Sequence, residues 1–295
     1  MNEKELGFLL LTSTLGDPAR KPLTVAQFRT LAQRVSLMEK PTVQRQLEEG
    51  DLLALGYDSS SARRILTLFS QREQLDWYLQ KGGKMDCVPI TRVTAGYPVR
   101  VRKKLGMDSP GCLWAKGDIS LLTQQKISVV GSRQLNPDNK MFAREAGRQA
   151  AMQGYVLVSG NAKGADMEAQ NACLEQGGMV ISVVADALEK HPLQRNVLYL
   201  SEESFDLAFT PQRALSRNRI IHSLGQLTLV AQCSSRKGGT WAGTVTNLRK
   251  DLSPVFCFAD GSEAVTELIQ LGAAGICMEQ LGDFKALAAD QMHLF

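Results

Sequence analysis

Six short apolar runs, at 111–115, 127–130, 155–158, 179–184, 227–231 and 254–258, most narrow what this chain can fold into. Amphipathic stretches with helical spacing, such as 139–153 and 166–176, lie between them. The runs are read as buried strands, and strands that alternate with helices at this spacing build a mostly parallel sheet covered by helices. Ligands of such sheets sit outside the carboxyl ends of the strands. A helix and a short strand, Gly275-Ile276-Cys277-Met278, continue the alternation within 263–282.

Two of the strands end in small residues and a cation. Ile127-Ser128-Val129-Val130 runs into Gly131-Ser132-Arg133. Tyr155-Val156-Leu157-Val158 runs into Ser159-Gly160-Asn161-Ala162-Lys163-Gly164-Ala165-Asp166. A helix that follows such a turn leaves backbone N–H groups free at its start, where they can bind a phosphate. The Arg133 guanidinium can grip that phosphate through two bonds, and Lys163 adds a point charge. Gly160 and Gly164 would let a backbone come close. Asp166 opens a helix and equally fits a capping role. Neither turn is a G-x-G-x-x-G or a G-x-x-x-x-G-K-[ST], so the usual dinucleotide and P-loop patterns are missing.

The chain's 295 residues are ample for a full core, and 44% hydrophobic with 22% charged residues describes a soluble globular protein. A net charge of +4 permits a polyanionic partner without demanding one. One basic cluster comprises Arg92, Arg100, Arg102, Lys103 and Lys104; Arg213, Arg217, Arg219, Arg236 and Lys237 recur near the glycine-rich elements. Either set also fits a solvated face. Six scattered cysteines contain no C-x-x-C pair, so neither a zinc site nor a disulfide framework is expected, and no metal or cofactor is assigned. None of the three histidines has a partner with nucleophile spacing. Ser132 and Ser159 suit backbone capping better than nucleophilic attack. The apolar stretch Leu6 to Leu11 is too short for a signal or a membrane span, which points to the cytoplasm.

Residues 1–80 have helical spacing and form a small N-terminal domain of helix-hairpin-helix or SAM-like type. Leu52 to Leu66 reads as helix, glycine turn at Gly56, serine cap, helix. Such a pair can offer N–H groups to a nucleic-acid backbone, or simply pack. Residues 81–285 form the sheet domain, and 286–295 a C-terminal tail.

Further motifs follow in order: Tyr97-Pro98, then Leu113-Trp114-Ala115-Lys116-Gly117; Ser216-Arg217-Asn218-Arg219-Ile220-Ile221; Gly238-Gly239-Thr240 with Thr244; and Gly272-Ala273. With Val130-Gly131-Ser132-Arg133 and Ser159-Gly160, Gly164 and Asp166, this ordered set resembles the DNA-processing protein A family (DprA, also called Smf). The resemblance covers about Leu52 to Met278. It implies an extended Rossmann-like domain with helices on both faces of a mostly parallel sheet. It implies single-stranded DNA as ligand, a homodimer, help in loading the RecA recombinase, and a role in DNA uptake, transformation or recombination. By position, Gly131, Ser132, Arg133, Ser159, Gly160, Lys163, Gly164, Arg217, Asn218, Arg219, Lys237, Gly239 and Thr240 become the DNA- or phosphate-binding set.

The chain departs from the family pattern in several places. Gly164-Ala165-Asp166 and Ala169-Gln170 stand for Gly-Ile-Asp and Ala-His. Ala214-Leu215 replaces a Phe-Pro ahead of the Arg-Asn-Arg triplet, removing an aromatic that could stack on a base. Asp186 stands for a glycine, His191-Pro192 for Tyr-Pro, and Ala259-Asp260 for Pro-Gly. No room is expected for the family's C-terminal winged helix.

The tail Gln291-Met292-His293-Leu294-Phe295 resembles the Gln-Leu-x-Leu-Phe peptides that dock on the bacterial sliding clamp. There Met292, Leu294 and Phe295 would fill an apolar groove and Gln291 would set the register. Folding back onto its own domain is the other option. Two rival functions share the fold: a nucleotide sensor, and a nucleotide-cleaving phosphoribohydrolase. The second needs an acid or base after its Gly-Gly-x-Gly-Thr loop, and Val245-Thr246-Asn247-Leu248 supplies none. The expectation is a non-enzymatic single-stranded-DNA-binding protein.

Overall fold

A computed structural model describes residues 1–38 and 46–292. Five helices come first: α1 (Glu3–Thr12), α2 (Val25–Ser36), α3 (Glu49–Ala54), α4 (Ser59–Ser70) and α5 (Arg72–Gly83). There follow β1 (Cys87–Thr91), α6 (Val99–Leu105), β2 (Cys112–Lys116), β3 (Lys126–Val130), α7 (Pro137–Met152), β4 (Val156–Ser159), α8 (Ala165–Glu175) and β5 (Met179–Val184). The chain continues through β6 (Val197–Glu202), α9 (Pro211–Leu224), β7 (Thr228–Val230), α10 (Gly238–Lys250), β8 (Val255–Phe258), α11 (Glu263–Gln270), β9 (Ala274–Ile276) and α12 (Phe284–Met292).

The strands make one sheet in the order β1-β2-β6-β5-β4-β3-β7-β8-β9. From β6 to β9 every neighbour pair is parallel. β1 and β2 are added antiparallel at one edge. The expected α/β architecture is present. Two strands absent from the sequence reading, β1 and β6, complete it. Pro89 reads against a strand, and β1 tolerates it because it lies at the edge, where a missing N–H costs no ladder bond. β6 follows the His191-Pro192 segment, which reads as loop, yet all six of its residues are buried.

The pleat divides the core. Ile127 and Val129 of β3 and Leu157 of β4 face one side, against Phe142 and Ala146 of α7 and Ala169 of α8. Val130, Val156 and Val158 face the other, against Val101 of α6, Ile220 and Leu224 of α9, and Leu268 of α11. Apolar residues on both faces explain why these strands read as continuous runs.

The helical N-terminal region has a small core of its own around Leu31, Leu52 and Ile65. It does not stop at residue 80: α5 crosses that point, and Tyr78 packs against Phe205 with ring centroids 4.8 Å apart. Between α3 and α4 the glycine turn is present, with Gly56 at φ 81°. The cap is Asp58 rather than a serine; its carboxylate accepts from the Ser61 N–H at 2.9 Å. Among the described residues no helix is long and apolar enough to cross a membrane. Of the clamp-type tail, Gln291 and Met292 fall at the end of α12, while Leu294 and Phe295 lie outside the described residues.

Candidate nucleic-acid interface

Strand order reverses at β3. The chain runs from β3 to β4, β5 and β6 on one side, then returns to β7, β8 and β9 on the other. The turns after β3, β4 and β7 therefore splay apart at the carboxyl end of the central strands and leave a crevice, the usual ligand position in such folds. A cleft of about 780 Å³ lies there, lined by Gly131, Ser132 and Arg133 after β3 and by Arg217 and Asn218 of α9. Lys237, Gly239 and Thr240 at the start of α10 close its far side. A second chamber of about 320 Å³ is lined by Gly160 and Lys163 of the turn after β4. Arg133 and Arg217 border both spaces.

Three expected site residues stand elsewhere. Arg219 points to Glu202, pairs with its carboxylate, and donates to the Asp108 carbonyl at 3.0 Å. Burial pushes the Glu202 carboxyl up and Arg219 opposes it, so this arginine neutralises a buried acid. Ser159 is fully buried beneath its turn, where its hydroxyl accepts from Gln170; the Gln170 carbonyl in turn accepts from the Ser182 hydroxyl at 3.1 Å. Gly164 sits behind the cleft at φ +82°, and a Cβ there would lie 2.2 Å from the Ser132 carbonyl oxygen. Its role is to let two turns touch.

The backbone donors also differ from expectation. At the start of α8, Asp166 swings back, and its carboxylate accepts from the N–H groups of Gly160 at 3.0 Å and Ala162 at 3.2 Å. The place read as a phosphate seat is thus filled by the chain's own carboxylate. The Ser132 N–H is spent on the Gln232 carbonyl at 2.8 Å. The open helix start is that of α10. Lys237, its N-cap residue, makes no side-chain cap, so the first N–H groups of a 13-residue helix border the cleft uncapped. Asn218 and Thr240 tie this end in place, donating to the Gly239 carbonyl at 3.2 Å and the Gly131 carbonyl at 2.8 Å.

Arg217 is the unusual member. It is only 8% exposed, its Nε has no partner, and among the described residues the guanidinium makes no hydrogen bond with the protein. Its space exists because residue 160 is glycine: a Cβ there would lie 1.5 Å from Arg217 Nη1. Burial pulls the arginine's pKa down, with Asp166 and Asp186 opposing the shift. Burial likewise pushes the Asp166 carboxyl up, against the pull of Arg217 and the two N–H donors. A buried cation with open donors beside a cleft is a costly arrangement that an anion would satisfy.

Among the described residues Arg133, Lys163 and Lys237 also have no ion pair or side-chain hydrogen bond, in contrast to the other nearby cations. Arg236 pairs with Glu267 at 2.9 Å. Arg213 is used up on backbone carbonyls, including Ala185 at 2.7 Å. The separate cluster around residue 100 lies at the opposite, amino ends of the strands. Arg100 donates to the Gly225 carbonyl at 2.8 Å and Lys104 pairs with Asp251 at 2.8 Å.

Over residues 89–284 the chain matches the model of DNA recombination-mediator protein A. It belongs to that family. The DNA processing protein DprA of Bacillus subtilis is 30% identical over 143 residues, which are 44% of this chain and 48% of that protein. The chain spans half or less of the length of the first curated relatives it matches. The X-ray structure of DprA from Streptococcus pneumoniae superposes with a TM-score of 0.71 at 22% identity, over 95% of this chain and 97% of that one. DprA from Helicobacter pylori, described for its single-stranded DNA binding mode, superposes at 0.55 and 22% identity, over 71% and 97%. These likenesses agree with the family resemblance and with the fold.

Sequence reasoning missed several residues of this family member's cleft. Asp186 and His191 form a pair at 2.9 Å on the wall of the smaller chamber, with the His191 ring stacked on Tyr199. His222 is buried beneath the larger space. Phe209 borders both chambers. Asp186 and His191 stood in the sequence only as departures from the family pattern, and His222 and Phe209 belong to no local motif; Phe209 is marked only by its place just before the Thr210-Pro211 helix start.

Proposed function

We propose that the cleft holds the phosphate backbone of single-stranded DNA, and that the protein acts as a DprA-type DNA-processing protein without catalysis of its own. The observation that carries this reading is the set of four cations, Arg133, Lys163, Arg217 and Lys237, that line these two spaces and among the described residues make no side-chain hydrogen bond or close ion pair. Arg217 is the decisive one, because a buried guanidinium with open donors calls for an anion. Membership of a recombination-mediator family and the single-stranded DNA binding mode of the Helicobacter pylori protein support the choice of DNA. Two neighbouring open chambers that share Arg133 and Arg217 suit a strand running across them better than a single enclosed nucleotide. The two buried acids near the crevice are both engaged: Asp166 is held by backbone N–H groups and Glu202 by Arg219.

A titration that compares single strands, duplex and mononucleotides tests the reading. Tight, salt-sensitive binding of single strands is expected. Binding confined to a mononucleotide would replace it with the sensor or hydrolase reading. RecA loading and a homodimer extend the proposal on the strength of family membership. Docking of 291–295 on the sliding clamp rests on the tail's sequence, and deletion of those residues with no change in clamp affinity would remove it.

A further inference from the structure

We infer that Phe209 is the base-stacking platform of this cleft, and that the smaller chamber receives the base stacked on it. The inference rests on the single-strand reading and deepens it. Phe209 is 51% exposed, yet it is no stray surface residue, because it borders both chambers together with Arg133 and Arg217. Its backbone is held firmly. The Arg213 guanidinium donates to the carbonyls of Leu207 at 2.8 Å and Ala208 at 3.0 Å, and Thr210 caps α9 directly after it.

A structural explanation fails to account for the exposure. Phe209 precedes the N-cap, and an apolar residue there commonly packs on the fourth residue of the helix as a hydrophobic staple. That residue is Ala214, whose single methyl covers little of a phenyl ring. Among the described residues Phe209 stacks on no other ring. The other aromatic ring of the smaller chamber, His191, is already stacked on Tyr199, with centroids 4.9 Å apart. A ring with an open face, on a segment whose neighbouring backbone is held and beside cations suited to phosphates, matches how proteins hold single strands: charge tracks the backbone and aromatics take the bases. The chamber's volume, about 320 Å³, lies within the range of small-ligand pockets.

The test uses the full chain and two strands of equal length, one with bases and one made of abasic sites that keep the sugars and phosphates. The wild type is expected to bind the base-bearing strand about five-fold or more tightly, the lower end of one stacking contact. Phe209→Ala should bind that strand only as well as the wild type binds the abasic one, and Phe209→Trp should keep the preference. Equal binding of both strands by the wild type, or an undiminished preference in Phe209→Ala, would overturn the inference and leave the phosphate reading standing. Failure of the wild type to bind either strand would remove the reading and the inference together.

Discussion

Replacing Arg217 by methionine separates binding from folding more cleanly than any other change in the cleft. Methionine is of similar length and apolar, so it can fill the buried space beside Gly160 without the charge. The guanidinium makes no hydrogen bond to the protein among the described residues, so its removal takes none away. Asp166 loses a neighbouring cation but keeps the N–H groups of Gly160 and Ala162. The fold should therefore survive, while DNA binding should not. A charge-assisted hydrogen bond contributes about 1.5–3 kcal/mol, which is roughly a ten- to 150-fold loss of affinity. Removal of one phosphate contact should also flatten the dependence of log affinity on log salt by about 0.7 for a single strand. Fluorescence anisotropy with a labelled oligonucleotide across a salt series reads both quantities. Arg217→Lys, which keeps charge but loses the planar fork, should fall between the two. A folded Arg217→Met variant with unchanged affinity and unchanged slope would refute the reasoning.

Gly160→Ala should reproduce much of that loss with the arginine still present, because the new methyl would displace Arg217 Nη1 from 1.5 Å away. An overpacking cost of about 1–3 kcal/mol is expected in urea unfolding, together with weaker DNA binding. Arg219→Ala should do the reverse, destabilising by about 1–3 kcal/mol through the stranded Glu202 carboxylate while leaving affinity nearly unchanged. Equal binding losses in the Arg217 and Arg219 variants would contradict the division of labour within the triplet. His222 is buried, and its Nδ1 accepts from the Asn247 amide at 3.1 Å, an arrangement that needs the neutral ring. Burial, helped by Arg217, pulls its pKa from the ordinary 6.5 down to about 4. A depressed folded-state value means stability that is complete above about pH 6.5 and lost as pH falls through about 4. The loss amounts to roughly 3 kcal/mol. Unfolding of His222→Gln should lack that part of the acid sensitivity, and identical pH profiles for variant and wild type would exclude the effect.

The sequence by itself determined the α/β class and seven of the nine strands, because strands buried on both faces must be apolar throughout and the helices between them must carry one apolar stripe; β1, β6 and the strand order came from the tertiary structure. It also located the cleft to the turns after Val130 and Ser159, since parallel strands place their ligands at one end. Ordered motifs were enough to indicate the family. The tertiary structure decided which polar residues are free to act. Arg217 and Arg219 are two positions apart on α9, so they point in different directions, one to a cleft and the other to Glu202. The structure also decided between the two roles open to Asp166, whose side chain, six residues after Gly160, folds back on its N–H, and left the start of α10 without a side-chain cap. Phe209 has no local pattern and gains its position only when α9 packs across the sheet. Spacing along a chain reports which side chains could serve a site, whereas the distances between elements far apart in sequence decide which are already paired.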